Sequence, residues 1–271
     1  VQKKLKGKKY FQPDRYYQRM KELWEVPAVK PGWSTLITNV EPNNLVVAGY
    51  PLKDLIGRIS LLDAAHLMIK GELPQPSQSK EYQKIAMSAV RMDSPKVDIP
   101  KNVDISKTLA KMLLMDESIP SFEMKGKDAN PAKAAFTLGR VVRYLSKIYG
   151  NENALKKISK EACFGWATAT ALTGITKREP RIAELIEAMV VSCIDHGVTP
   201  PSTQAGLITA SVRAAYEVSV AAGISAITDV HGGAGANAAK FFLKCAEIAK
   251  KNEMSAEDAA YQIMTEYVKT G

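Results

Sequence analysis

From about residue 50 onward, apolar residues recur at three- and four-residue spacing in one segment after another, and the strict alternation of a half-buried strand does not return. This confines the chain to a mainly α architecture, because a large sheet needs strands that the sequence does not supply. Start and stop signals agree. Ser60 followed by Asp63 makes a capping box, and Gly71 with Pro74 supplies the matching stop, so a helix is predicted from about Leu61 to Lys70. Asn130 as N-cap and Pro131 at the first helical position open a longer helix. In it Ala134, Leu138, Val141, Val142, Leu145, Ile148 and Tyr149 form the clearest apolar stripe of the chain before Gly150. Ile182, Leu185, Ile186, Met189, Val190 and Cys193 share a stripe on another, and one further turn reaches His196 on the core side before Gly197 and two prolines stop it. Alanine, serine and Gly223 crowd the stretch from Ala214 to Ala226, which predicts a deeply buried helix. The last helices are expected from about Ala234 to Lys250 and, after a Ser255–Asp258 cap, from Ala256 to Lys269. Gln75 to Ser79 and Met92 to Lys101 read as loops.

Strand signals are confined to Thr35–Val40 and Leu45–Ala48, which flank the turn sequence Glu41-Pro42-Asn43-Asn44 and predict a small N-terminal hairpin. With 271 residues, 46% of them apolar, the chain can bury a sizeable core. The expected organisation is a basic segment, residues 1–30, ahead of a helical domain over 31–271. Ala162–Thr176 and Gly197–Val212, the longest uncharged stretches, are too short and too interrupted to span a bilayer. Lys3, Lys4, Lys6, Lys8 and Lys9 are not followed by an apolar run with a cleavage site, so a cytoplasmic protein without membrane association is expected. The net charge of +9 would attract nucleic acid, anionic lipid or an anionic metabolite. The lysine run lacks aromatic interleaving, which favours a solvated tail over a nucleic-acid partner and leaves a polyanionic substrate equally compatible. Cys163, Cys193 and Cys245 form no disulfide framework, and His66, His196 and His231 have no zinc-binding spacing, so no metal is expected.

Two segments place a histidine where a helix meets a turn shaped by glycine or proline: Asp195-His196-Gly197-Val198-Thr199-Pro200-Pro201-Ser202-Thr203 and His231-Gly232-Gly233-Ala234-Gly235. Gly232 and Gly233 let backbone approach a ligand, and a helix starting near Ala234 directs its free N–H groups and positive end to the same spot, which suits carboxylates. The same field favours the neutral imidazole, able to donate to a developing enolate oxygen. A capping histidine in a tight turn is the structural alternative for His231. A buried, hydrogen-bonded core residue is the alternative for His196, and a surface charge at a helix C-terminus for Asp195; His66 reads as structural outright. Gly233-Ala234-Gly235-Ala236-Asn237-Ala238 also fits a dinucleotide fingerprint, but no second strand follows to complete a βαβ unit.

Taken together these residues resemble the citrate synthase superfamily. Asp195-His196-Gly197 followed by a proline–serine helix start, with His231-Gly232-Gly233-Ala234 downstream, is similar to that family's two central histidine motifs. Val46-Val47-Ala48-Gly49-Tyr50-Pro51-Leu52 with Gly71-Glu72-Leu73-Pro74 resembles its N-terminal signature. Within the family, Asp195 to Ser202 and the Val40-Glu41-Pro42-Asn43 run look most like citryl-CoA lyases. Synthases more often carry an acidic residue and an Asn-Ala-Ser run after this histidine, although the long segment between Pro74 and Asp195 is synthase-like.

The resemblance implies a citrate synthase-like large helical domain and an enzyme that cleaves citryl-CoA to acetyl-CoA and oxaloacetate, or runs the reverse condensation as a citrate or 2-methylcitrate synthase. It implies that His231 stabilises the acetyl-CoA enol oxygen, that His196 with Gly232 and Gly233 binds the oxaloacetate or citrate portion, and that Asp195 supports them. Coenzyme A would enter as part of the thioester substrate, with no tightly bound cofactor. It further implies a smaller C-terminal domain with a third histidine and a catalytic aspartate. Neither motif occurs in these 271 residues, and both are expected beyond Gly271, the alternative being a noncatalytic scaffold or regulatory homologue. The small-residue helices Ala162–Ala171 and Ala205–Ala226 are expected to build a homodimer interface.

Overall fold

The computed structural model describes residues 35–41, 44–119 and 129–270, and the residues from Ile37 onward belong to one compact unit. The basic segment 1–30 and the turn residues Pro42 and Asn43 lie outside the described residues. Among the described residues, three short antiparallel strands, β1 (Thr38–Glu41), β2 (Asn44–Val47) and β3 (Tyr50–Pro51), precede twelve helices. The register pairs Thr38 with Val47 and Glu41 with Asn44, so the predicted hairpin is present. Ala48 and Gly49, both at positive φ, then turn the chain into the third strand, which lies inside the Gly49-Tyr50-Pro51 motif and carries no strand signal of its own. Two successive positive-φ residues match the right-handed twist of the flanking strands.

Helix α1 (Leu52–Leu55) leads to α2 (Leu61–Lys70), whose Ser60–Asp63 capping box and left-handed Gly71 stand where the sequence put them. The expected loop at Gln75–Ser79 is instead the first turn of α3 (Pro76–Arg91). Pro76 occupies the first helical position, where its missing N–H costs nothing, and the Gln75 amide donates to the Gln78 side chain at 2.8 Å. Residues 92–101 are free of helix and strand, as expected, and lead into α4 (Ile105–Leu114), capped by Asp104.

Helix α5 (Ala129–Ile148) is central to the helical unit, and no residue from Pro131 to Ile148 is exposed. The sequence expectation of a one-sided stripe is corrected here. Of that stripe only Val142 is fully buried, and Asn130 sits inside the first turn rather than capping it. Arg140, Arg143, Tyr144 and Ser146 are buried instead. A buried arginine needs a partner for every donor it can satisfy. Arg140 donates through Nε to Asp116 at 2.6 Å and through its two terminal nitrogens to the carbonyls of Ala89, Met92 and Asp93. Against α3 the approach is closer than a side chain would allow, since a Cβ on Gly139 would lie 2.3 Å from the Ala86 carbonyl oxygen.

After α6 (Glu152–Lys157), helix α7 (Phe164–Thr173) runs through the core with every residue from Phe164 to Ala171 buried. Gln83 of α3 ties its start, accepting from the Phe164 amide at 3.1 Å and donating to Ala162 O at 3.0 Å. The expectation that this segment lies at a dimer interface is therefore corrected: its surroundings are α3, α5 and α8 of the same chain.

Helix α8 (Pro180–Ser192) packs Ile182, Ala183 and Ile186 on that core, but Leu185 and Met189 of the predicted stripe are each 60% exposed. Helices α9 (Pro201–Ser211) and α10 (Tyr216–Ser225) form a close pair, with a Gly223 Cβ position only 3.1 Å from Ser202 O. In α10 only Ala221 is fully buried, so the deep burial predicted for Ala214–Ala226 does not occur within one chain. Helices α11 (Ala234–Lys251) and α12 (Ala256–Thr270), the latter capped by Ser255 and Asp258, close on a small core of their own around Cys245, Ala259 and Ile263.

Candidate functional site

The α9–α10 pair decides where the histidines sit. Gly206 and Gly223 let the two helices approach, which sets the first turn of α9 beside the chain leaving α10. That exit is a tight turn: the Thr228 amide donates to His231 O at 2.9 Å, and the His231 amide donates to Thr228 Oγ1 at 3.3 Å. Gly232 follows at φ +105°, and Gly233 admits no side chain, because a Cβ there would stand 2.1 Å from Asp229 O. Helix α11 then starts at Ala234, as the sequence predicted, and no side chain caps its free amides.

His231 is half-buried, and Ser202 Oγ lies 2.9 Å from its Nε2. The rings of His196 and His231 stack with centroids 5.9 Å apart and planes 7° from parallel. Two histidines 35 positions apart in sequence are thus brought together beside an uncapped helix N-terminus, an arrangement able to present N–H donors to an oxyanion or carboxylate.

His196 does not reach this place as the sequence reading had it. Helix α8 ends at Ser192, with the Cys193 amide turned onto Val190 O and Val191 O, and His196 is exposed in the irregular segment that follows. Asp195 explains the early stop. Its carboxylate accepts from the Gly197 amide at 3.1 Å and from the Thr38 hydroxyl of β1, bonds that compete with another helical turn. Asp195 is thereby a fastener between the β-sheet and the His196 segment. His66, read as structural, is buried and lies 2.9 Å from the Tyr82 hydroxyl.

Ser202 belongs to a histidine motif and Thr38 to a strand signal, and neither signal assigns the side chain a role. A local signal exists for Ser202, the second residue of a helix opened by Pro201. None exists for Thr38, whose partner is 157 positions away. The dinucleotide reading of Gly233–Ala238 falls, since no strand precedes it and Thr228 and Gly232 form only an isolated bridge. A cleft of about 1230 Å³ adjoins the site, reaching Gly232 and Gly233 but not the imidazoles, with Lys107, Lys111 and Lys240 along its walls. Among the described residues no cluster of His, Cys, Asp and Glu is arranged to hold a metal ion, and no helix is long and apolar enough to cross a membrane.

Comparison with known proteins bears on the whole chain. The family described as citrate synthase, C-terminal domain, matches residues 23–268. The fold is similar to citrate synthase from Thermotoga maritima (TM-score 0.64, 18% identity, 89% of this chain and 63% of that one). It is also similar to the Thermoplasma acidophilum enzyme, solved as a ternary complex with carboxymethyl coenzyme A and oxaloacetate (TM-score 0.63, 20% identity, 84% and 62%). In sequence, citrate synthase of Saccharolobus solfataricus is 25% identical over 203 residues, which cover 72% of this chain and 53% of that protein. The chain therefore spans about half the length of the curated relative it matches. With a family match over nine-tenths of its residues, a mainly helical fold and a small antiparallel sheet, the chain belongs to the citrate synthase family.

Proposed function

We propose that the protein cleaves citryl-CoA to acetyl-CoA and oxaloacetate, with residues 31–271 as the large domain of the enzyme. The observation that carries this reading is the stacked His196–His231 pair at the start of α11. In the reaction a base removes the proton of the tertiary hydroxyl, the adjacent carbon–carbon bond breaks as the oxaloacetate carbonyl forms, and the electron pair passes to the thioester as an enolate. His231 donates a hydrogen bond to that enolate oxygen, and an acid then protonates the enolate carbon. The Ser202 hydroxyl lies 2.9 Å from Nε2, and the tautomer this reaction requires is the one in which Ser202 donates and the imidazole proton is on Nδ1, free to donate to the enolate. His196 holds the oxaloacetate end, together with the Gly232–Gly233 turn and the free amides of α11. The aspartate and third histidine that the family resemblance supplies for proton transfer are expected outside these residues. Coenzyme A takes part as the thioester substrate only.

The lyase reading rests on the wording of Asp195–Ser202. A second reading, citrate synthase, is favoured by the names of the relatives. Product analysis on the full-length protein separates them: the lyase releases acetyl-CoA and oxaloacetate from citryl-CoA without ATP, whereas the synthase makes citrate from acetyl-CoA and oxaloacetate. His231→Ala should lower turnover by about 10²–10³ with little change in ground-state affinity, while His196→Ala should weaken oxaloacetate or citryl-CoA binding as well. Near-normal turnover in folded His231→Ala removes the site and leaves only the fold. A full-length protein inactive in both assays would point to a noncatalytic homologue.

We also place a second copy of the chain against α8 and α9, making a homodimer or a multiple of one. Leu185, Met189, Ile208 and Val212 are exposed there, an apolar surface that a lone chain leaves in water.

A further inference from the structure

Arg140 and Arg143 lie three residues apart on α5, both buried, and their donors fare differently. Arg140 is bonded through Nε and through both terminal nitrogens. Arg143, 4% exposed, reaches Glu152 at 3.0 Å and the exposed Asp93 at 3.7 Å through one terminal nitrogen, while its Nε is buried with no hydrogen-bond partner. A buried guanidinium that leaves a donor unmet is an exception that calls for an explanation.

Arg143 also lines a cavity of about 110 Å³ that is open to solvent on one side, together with Val90 and Arg91 of α3 and Leu155 and Lys156 of α6. Three cationic side chains, from three helices, converge on a space that admits several waters or one tetrahedral oxyanion. Arg91 is held in place there, donating to Ser159 O at 2.7 Å. The carboxylates at hand, Glu152 and Asp93, pair with Arg143 and are not part of the cavity wall, so Arg91 and Lys156 bring positive charge that no carboxylate of the wall offsets.

We propose that this cavity binds phosphate, either free or as the terminal phosphoryl group of a metabolite. The unpartnered Nε of Arg143 is a donor that a phosphate oxygen would satisfy, the guanidinium of Arg91 adds charge of the kind that pairs with phosphate, and Lys156 adds a point charge at the exposed side. None of α3, α5 and α6 carries a residue of the histidine pair, so the site stands apart from the lyase reading.

The test is calorimetric titration of the full chain with inorganic phosphate, and separately with glycerol phosphate, at an ionic strength held constant with chloride. Saturable binding is expected, and the second ligand tells whether an esterified phosphoryl group is accepted. Lys156→Glu should weaken the affinity by about tenfold or more, the loss of one charge-assisted contact and its replacement by a repulsive one. Glu152→Gln should strengthen it by freeing Arg143 from its competing carboxylate, and His231→Ala should leave it unchanged. Absence of binding beyond the chloride control overturns the proposal. So does an affinity equal in the native chain and in the Lys156 and Glu152 variants, which would put the phosphate elsewhere.

Discussion

Helices α7 and α9 are written in much the same alphabet, Phe-Gly-Trp-Ala-Thr-Ala-Thr-Ala-Leu-Thr against Pro-Ser-Thr-Gln-Ala-Gly-Leu-Ile-Thr-Ala-Ser, and neither has a marked apolar face. In α7 eight consecutive residues are buried, whereas in α9 none is. The difference lies in what surrounds them. Helix α7 is enclosed by the core of its own chain; the Thr168 and Thr173 hydroxyls return to its own carbonyls, Phe164 O at 3.0 Å and Ala169 O at 2.7 Å, and Thr170 donates to Ile175 O just past its end. Helix α9 meets α10 through Gly206 and Gly223 and turns its other sides outward. Small residues permit close approach without naming the neighbour, so one composition serves a closed core and an open face alike.

That contrast can be tested by cutting into each side of it. Trp166→Ala in α7 should cost about 3–5 kcal/mol of stability, read as a fall in the urea midpoint, because a ring only 3% exposed is replaced by a cavity. A loss under about 1 kcal/mol would show that α7 is not sealed in the core.

The buried carboxylate beside α5 gives the core a pH dependence. Burial raises the Asp116 pKa, but hydrogen bonds from Ser118, Tyr144 and Arg140 outweigh it and hold the group below the usual carboxylate range. A carboxyl with a depressed folded-state pKa stabilises the fold above its unfolded pKa of about 3.9 and loses that contribution as pH falls through the folded value. Unfolding midpoints taken from pH 6 downward should therefore fall more steeply for the native chain than for Asp116→Asn. Parallel curves would count against the buried ion pair.

On the open side, Ile208→Asp should change the stability of the isolated chain by no more than about 0.5 kcal/mol, since Ile208 is 56% exposed. Its effect should appear in assembly: sedimentation of the native chain as a dimer and of the variant as a monomer with unchanged helical circular dichroism. A native monomer at micromolar concentration would refute the second-copy proposal and leave α9 as an ordinary surface helix.

The smallest effect belongs to Glu187, where α8 meets α7. Its carboxylate fills the space that a Cβ on Gly165 would take. Burial raises its pKa most, the Leu61 backbone bond opposes this, and the charge on Asp63 raises it further. A raised folded-state pKa makes the protonated form the favoured one, so that contribution is present below the unfolded pKa of about 4.3 and is lost as pH rises through the folded value. Glu187→Gln should accordingly gain stability relative to the native chain between pH 4 and pH 7, measured as the difference in midpoints. A difference independent of pH would mean that the carboxylate is solvated.

The sequence by itself determined the helical class, the hairpin, the start of α11 at Ala234, and helix ends such as Ser60–Asp63, Gly71 and Ser255–Asp258. Each of these depends on bonds between residues a few positions apart, such as a hydroxyl on an amide three residues on or a glycine at positive φ. It also marked both histidine segments, because glycine and proline at a helix junction are local features. Tertiary structure alone decided the rest. The exit of His196 from α8 depends on Asp195 reaching Thr38 in β1, and the pairing of Ser202 with His231 depends on Gly206 and Gly223 meeting across two helices. The burial of α5 on all sides depends on Arg140 finding Asp116 and the carbonyls at the end of α3. These bonds join residues distant in sequence, and their free energy exists only once the chain has closed, so no local pattern of residues records them.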